Sequence, residues 1–541
     1  MKEIILKRVS KYNIGLKHEL FSFCDIETYH AKNLKNLANY YIRQCFTLSS
    51  KDGSNLTDEQ VELLNDVNNA IDLFNKKREI LFEEKRPKRI QKAQYDLKKF
   101  IDENPKDSTK DYDKKIDALE KAIVKTTEVV YKPHSYIDKD NGLISYDFLN
   151  YFFAEYYKPT DEKYSNPYKD MAIQTSQQVL RNLLKDWKSY FNSVKEYNKN
   201  KSKFTGRPKL PKYKQKDGRI KTSFTNQSCK VKDGVVIFPK TKLTLEIGID
   251  TSNLKLKEVR IIPNGSSYTI ELVWDKTITL SKALNKKYYI GIDLGLNNLA
   301  TITNNIGLKP IIINGRPLKS INQYYNKKKA KLQKYMPFMT VSRYNREKGI
   351  LESKKVQRTW SKAMERLTKK RNAKINDYMH KASKYIIEYC VEHSVGNIVI
   401  GKNEQWKSGL NLGAANNQKF VQIPHTRFVE MIQYKAESYG INVIIVEESF
   451  TSKASFLDFD TLPTINTDEA KDVIFSGKRI NRGLYKTNDV VINADVNGSL
   501  NIIRKANSKA FDDLHISKVK FIPTIIKLKG YKPKQMQKKS A

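Results

Sequence analysis

Tyr288-Tyr289-Ile290-Gly291-Ile292-Asp293-Leu294-Gly295-Leu296-Asn297-Asn298-Leu299-Ala300-Thr301-Ile302 is the stretch from which the fold can be read. It opens as an apolar run rich in β-branched and aromatic residues, the make-up of a buried strand, and it sets one carboxylate, Asp293, in that strand. A carboxylate in oily surroundings needs a partner. Asn297-Asn298 is a turn dipeptide, and a second strand follows from Leu299 to Thr303. Asn304-Asn305-Ile306-Gly307 breaks it, and Pro310-Ile311-Ile312-Ile313 begins a third.

Downstream, residues 320–371 read as a long, very basic helical excursion. It leads into an amphipathic helix whose Ile375, Tyr378, Met379, Ala382, Tyr385 and Ile386 cover the sheet, with His380 a helix-surface or capping residue. Asn397-Ile398-Val399-Ile400-Gly401 is expected as a buried parallel strand, residues 428–439 as the next helix, and Ile441 to Ser449 as a further apolar strand that ends in Glu447 and Glu448. Asn493-Ala494-Asp495-Val496-Asn497-Gly498 opens a terminal helix, where an acid often serves only as a cap or a dipole partner. Three acids that each end a strand or open a helix of one sheet form a more specific pattern, that of an RNase H-like fold. Mg²⁺ prefers carboxylate and water oxygens, and two such ions about 3.5–4 Å apart serve phosphodiester hydrolysis.

Upstream, a mixed strand-like segment precedes a helix with Leu34, Leu37, Ala38, Tyr41, Cys45 and Leu48 on one stripe. Thr57-Asp58-Glu59-Gln60 is a capping box, followed by Leu64, Val67, Ile71 and Phe74 at helical spacing. After the charged run Lys85-Arg86-Pro87-Lys88-Arg89 a second helix is expected to Phe100, and another from Tyr112 to Val130. A solvated coiled-coil hairpin and a nucleic-acid clamp both fit this block; its basic run favours the clamp. Residues 171–197 form an amphipathic helix with Ile173, Leu180, Leu183, Leu184, Trp187, Phe191 and Val194 inward. The segment beyond it carries Lys203, Arg207, Lys209, Lys212 and Lys214 among prolines and aromatics, which suits phosphate contacts and base stacking; a flexible basic linker is the alternative. Alternating apolar residues from 223 to 274 predict a small β-barrel or sheet.

Composition agrees with a polyanionic partner. Of the 541 residues, 99 are Lys or Arg against 59 Asp or Glu, a formal charge of +40 that repels itself unless nucleic acid lies against it. Cys24, Cys45, Cys229 and Cys390 lie far apart without CxxC spacing, so neither a disulfide framework nor a zinc ribbon can be written from them. No apolar run is long enough for a membrane span and no signal peptide is evident, so a cytoplasmic, nucleoid-associated protein is expected.

In their order, the segments NLKNLANYYIRQ (33–44), SQQVLRNLLKDWKSYF (176–191), SKFTGRPKLPKYK (202–214), 291–301, 371–383, VIGKN (399–403), EESFTSKASF (447–456), SGKRINRGLY (476–485) and NADVNGSLNI (493–502) resemble the TnpB nucleases of insertion-sequence transposons and their descendants, the compact type V CRISPR effectors. The resemblance implies an α+β multidomain, bilobed chain. Its parts are the first piece of a β-barrel wedge domain at 1–24, a helical recognition domain at 25–200, the remaining wedge at 201–286, and a RuvC-type nuclease at 287–448 with its helical excursion at 320–396. A target-nucleic-acid-loading module at 449–490, a third RuvC motif at 491–507 and a basic tail at 508–541 complete it. It implies a monomer holding a guide RNA, transposon-derived or CRISPR, that cuts double-stranded DNA with two Mg²⁺ ions, Mn²⁺ substituting. Asp293, Glu447 or Glu448, and Asp495 are the implied acids, with Asp293, Glu448 and Asp495 on the metals.

Two departures mark the chain. TnpB proteins usually end the strand matching 398–401 in a Glu, where this chain has Gly401; a variant arrangement uses a Glu on the following strand, matched by Glu447-Glu448, with Glu404 a weaker candidate. Side chains alternate along a strand, so one of the pair reaches the metals. Ser455 stands where the family's TSKxC pattern has a cysteine, so the loading module is expected to fold without zinc, with Lys453, Lys478, Arg479 and Arg482 on DNA phosphates. Two other readings stand beside a guided nuclease. One is a guided binder that no longer cuts; the other is an RNase H-like ATPase, whose phosphate motif also reads GIDLG but which needs a second glycine-rich loop.

Overall fold

The computed structural model describes residues 3–49, 56–104, 110–137, 142, 144–159, 165–279, 284–345, 350–358, 360–402, 423–463, 473–481, 483–487, 490–514 and 518–528. Glu404, Arg482 and the last residues of the tail lie outside them. The chain is mixed α+β and divides into two compact units, one of Lys7–Asp275 and one of Met1–Leu6 with Lys276–Ala541. Among the described residues no helix is long and apolar enough to cross a membrane.

The first unit comprises β1 (Glu3–Ile14), α1 (Leu20–Leu48), α2 (Asp58–Glu103), α3 (Lys110–Glu128), α4 (Tyr146–Tyr151), α5 (Pro167–Asp170), α6 (Ile173–Lys199), β2 (Thr222–Thr225), β3 (Lys230–Lys232), β4 (Val235–Ile237), β5 (Thr244–Glu246), β6 (Leu254–Asn264) and β7 (Ser267–Thr279). The stripe Leu34, Ala38, Ile42 and Cys45 of α1 buries against Leu180, Leu183 and Trp187 of α6 and Phe148 and Phe152 near α4. The Trp187 indole N–H donates to Asn39 Oδ1 at 3.0 Å, so this buried aromatic leaves no orphan donor.

Two expectations here are corrected. Ile173 is 66% exposed, because it opens α6 on the solvent side while Thr175 and Ser176 of the same turn are the residues buried. The break expected around Pro87 is absent: α2 runs unbroken to Glu103, and most of it is solvated, so the carbonyl that Pro87 leaves without a donor faces no dry core. α3 folds back along it as a hairpin, with Phe100 stacked on Tyr112 and Arg86 donating to the Thr127 carbonyl at 2.6 Å. The expected barrel consists, among the described residues, of two sheets, ordered β1-β7-β6-β2 and β3-β4-β5, which share one core through Phe224, Val236, Leu245, Val259, Ile270 and Trp274.

The second unit is built on β8 (Asn285–Asp293), β9 (Asn298–Asn304), β10 (Ile311–Asn314), α7 (Arg316–Lys334), β11 (Phe338–Asn345), β12 (Ile350–Gln357), α8 (Lys362–Glu392), β13 (Val395–Gly401), α9 (His425–Glu437), β14 (Asn442–Val446), β15 (Gly477–Asn481), β16 (Leu484–Thr487), β17 (Val490–Asn493), α10 (Ala494–Ala506) and β18 (Thr524–Ile526). Its main sheet runs β14-β13-β8-β9-β10-β18. β8, β9 and β10 are the antiparallel meander read from the sequence, and β13 lies parallel to both β8 and β14. Ile375, Met379, Ala382 and Ile386 of α8 cover it as expected.

The helical excursion is only partly helical. Residues 338–345 and 350–357 pair as antiparallel strands, Phe338 opposite Gln357 and Asn345 opposite Ile350. Pro337 stops α7, and Thr340, Val341, Tyr344, Ile350 and Val356 favour strand despite the surrounding charge. The tail also contributes: its apolar stretch pairs Thr524 with Ile311 as a parallel edge strand.

Candidate active site

α10 crosses the main sheet, and the residues of its inner stripe meet successive strands. Asp495 meets β9, where Asn298 Nδ2 donates to Asp495 Oδ2 at 2.7 Å. Ser499 meets β8, its hydroxyl donating to the Gly291 carbonyl at 2.9 Å. Only glycine fits at 291, since a Cβ there would lie 2.2 Å from the Ser499 carbonyl oxygen. Ile502 reaches β13 at Gly401, and Lys505 reaches the exit of β14 at Glu447. The close approach that glycine and serine permit brings the helix start down onto Asp293, whose Oδ2 would be 3.2 Å from any Cβ at Gly498.

The cap of α10 is Asn493, whose Oδ1 accepts from the N–H groups of Asp495 and Val496. Asp495 is therefore not spent as the cap, and its other oxygen accepts from Arg479 Nη2 at 3.1 Å. The Asp293 carboxyl is held well above the usual carboxylate range, first by burial and then by the negative charges of Asp495 and Glu448, with Arg479 opposing. Glu448 is pushed up to about 7, by burial and then by Glu447, with Lys505 opposing.

The structure separates the two glutamates. Glu447 turns to Lys505, 2.7 Å away, while Glu448 is the one whose charge acts on Asp293. Among the described residues no three His, Cys, Asp or Glu side chains converge closely enough to grip an ion; Asp495 is occupied by Arg479 and Asn298. The donor set nevertheless suits a hard divalent cation: carboxylate oxygens crowded until one keeps its proton are what such a cation neutralises.

These shifts predict a pH dependence. Burial and Glu447 push folded Glu448 up to about 7, against 4.5 for an exposed glutamate. Between those values the folded state binds more protons than the unfolded, so this group makes the cation-free protein less stable as pH rises through that window. Urea unfolding in chelator at about pH 5 and about pH 8 reads the loss, and Glu448→Gln flattens it.

Ser455 is buried, its hydroxyl donating to Asp458 Oδ2 at 2.6 Å, and the Thr487 hydroxyl donates to the same carboxylate. Asp460 accepts from Ser455 N at 2.7 Å and from Ser476 N at 3.1 Å, tying the segment before β15 to that after β14. The module is thus cross-linked by hydrogen bonds at the position of the family's cysteine. Lys453, over the Phe450 ring, and Lys478 and Arg479 of β15 are exposed.

In the first unit the basic segment is pinned rather than a loose linker. Along α1, Asn36 pairs with both backbone groups of Lys214 at 2.8 and 2.9 Å, Asn39 Nδ2 donates to the Pro211 carbonyl at 3.1 Å, and Lys32 donates to the Lys216 carbonyl at 2.6 Å. Arg43 lies over the Tyr213 ring, 4.9 Å from its centroid. Leu210 packs on the helical core, leaving Lys209, Lys212 and Lys214 exposed along a cleft of about 500 Å³ that Lys35, Tyr190 and Phe204 also line. Arg207 is exposed, and Lys203 lies 3.4 Å from Glu196. Asn36, Asn39, Asn298 and Lys505 were not legible as functional residues; only the turn dipeptide Asn297-Asn298 carried a signal.

Two family models match the chain. Residues 270–407 match OrfB_IS605, described as Probable transposase, and residues 425–502 match the Cas12f1-like TNB domain. The first holds Asp293, and the second holds Glu448, Arg479 and Asp495. These two segments are thus similar to the TnpB-type transposases and to the compact type V effectors. No curated protein sequence matches it. It is similar to a Cas12f1–sgRNA–target DNA complex solved by cryo-electron microscopy, at 15% identity and a TM-score of 0.27, covering 67% of this chain and 86% of that one. A CRISPR–Cas12f ternary complex is similar at 13% identity and a TM-score of 0.27, covering 93% and 98%.

Gly401 and Glu448 are sterically linked. A Cβ at Gly401 would lie 2.6 Å from Ile502 Cδ1 and 3.2 Å from Glu448 Cβ, so position 401 and Glu448 compete for one space. Gly401→Glu should therefore destabilise the fold by about 1–3 kcal/mol, read by urea unfolding, as overpacking does.

Proposed function

We propose that the chain is an RNA-guided DNA endonuclease that recognises a short motif beside its target and hydrolyses the phosphodiester backbone in one RuvC-type site. The observation that carries this reading is the seating of α10 on the sheet, which sets Asp495 against β9 and Gly498 against Asp293 while Glu448 lies beside Gly401; burial and the charges of Asp495 and Glu448 hold the Asp293 carboxyl above the usual range. Asp293, Glu448 and Asp495 would hold Mg²⁺, which when bound supplies an activated water and stabilises the leaving oxygen. The chain's own groups set that site: Asn298 and Arg479 orient Asp495, Gly401 leaves room for Glu448, and the guanidinium of Arg479 is positioned to meet a phosphate once Asp495 is engaged elsewhere.

The pinned strap supports RNA binding, because exposed lysines on a fixed backbone meet phosphates at little ordering cost. Lys453 and Lys478 are proposed contacts to target DNA. Sequencing the RNA that co-purifies with the protein expressed beside its native flanking DNA tests the guided reading. A discrete RNA is expected, and its origin, a transposon end or a CRISPR array, identifies the subfamily. Purification free of RNA would contradict the proposal.

A further inference from the structure

The exit of β14 presents a mechanical problem. Among the described residues β14 is an edge strand paired only with β13, and Glu448 lies just past its end. A site that depends on Glu448 needs the backbone there held by something other than a second neighbouring strand. Lys505, on the same helix as Asp495, supplies that hold. Its ammonium donates to Glu447 Oε2 at 2.7 Å, to the Ser449 carbonyl at 3.0 Å and to the Pro463 carbonyl at 3.4 Å. An ammonium has three protons, and three acceptors converge on this one, in a side chain only 11% exposed.

The second Glu447 oxygen accepts from Ser449 N at 2.9 Å, and the Glu448 carbonyl accepts from the Thr451 hydroxyl at 2.8 Å. The backbone on both sides of Glu448 is therefore fixed, with Glu447 held on Lys505 and the Glu448 Cβ beside Gly401 at the end of β13. We infer that Lys505 is a positioning residue: by gripping Glu447, Ser449 and Pro463 it sets Glu448 in place and couples the second acid of the site to the helix that carries the third. This rests on the reading of Asp293, Glu448 and Asp495 as the cation-holding acids.

The test is Mn²⁺ binding to the full chain stripped of nucleic acid, followed by electron paramagnetic resonance of the free ion. Lys505→Ala should weaken Mn²⁺ binding about 10–100-fold, the usual cost of removing a group that orients a metal-holding side chain, and Lys505→Arg should recover most of it. If Lys505→Ala fails to fold, the charge swap decides: Glu447→Lys with Lys505→Glu should bind Mn²⁺ better than Lys505→Glu alone. Binding by Lys505→Ala equal to wild type, or no recovery in the swap, overturns the positioning role. Glu448→Gln separates the two levels. Its loss of Mn²⁺ binding beside an unaffected Lys505→Ala sinks only the role of Lys505, whereas unaffected binding in both sinks the reading of the site itself.

Discussion

Asp293→Ala is expected to abolish DNA cleavage while leaving the chain able to bind RNA and its DNA target. Asp293 feels the charges of Asp495 and Glu448, so its removal would dismantle the proposed cation site while the strap lies in the other unit. Metal assistance contributes several kcal/mol to phosphodiester cleavage, and a loss of about 4 kcal/mol slows the reaction about 10³-fold. Glu448→Gln should behave alike, since the amide keeps the shape but loses the charge. Glu447→Gln should cost far less, because its partner is Lys505 rather than Asp293. A cleavage assay on a linear duplex, paired with filter binding, reads both halves of the prediction. A larger loss for Glu447→Gln than for Glu448→Gln would reverse the assignment that the geometry makes.

Replacing Lys209, Lys212 and Lys214 together by Ala should weaken RNA binding and flatten its salt dependence. The three ammonium groups line one cleft on a backbone fastened to α1 by Asn36 and Asn39. Each phosphate neutralised contributes about 0.7–0.9 to the slope of log K against log salt, so the triple variant should lose about 2 from that slope. Affinity measured across a salt series checks this. An unchanged slope with reduced affinity would mean that the lysines act on folding rather than on phosphates. The wild-type chain should itself lose affinity by orders of magnitude between low and moderate salt, given its charge of +40.

The heart of the fold was legible because its signals are local. β8, β9 and β10 are apolar runs separated by Asn-rich turns, and β13 and β14 are short continuous Ile/Val segments. Asp293 stood out as a charge in such a run. The choice between Glu447 and Glu448 was not legible, since alternation says that one of two faces inward and leaves open which. The decision lies with Lys505, distant in sequence, and with the space beside Gly401. Asp495 was ambiguous for the same reason, until Asn493 proved to be the cap.

Charge hid the rest. The hairpin of β11 and β12 lies in a segment so basic that it read as a solvated helix, and the strand-forming residue types were outweighed. The basic strap read as suited to phosphate contacts, but a linker could not be set aside, because its fastenings, Asn36, Asn39 and Arg43, belong to a helix far upstream. β18 lay in a tail with one apolar stretch whose partner strand, β10, no local pattern could name.

The central claim is tested most directly by offering the purified protein–RNA complex a duplex library that carries a target matched to the bound RNA, flanked by randomised sequence, with Mg²⁺ or with chelator. The account predicts cuts only in matched targets, only beside one short flanking motif and only with Mg²⁺, and none from Asp293→Ala. Cleavage indifferent to the RNA sequence, or persisting in Asp293→Ala, would contradict it.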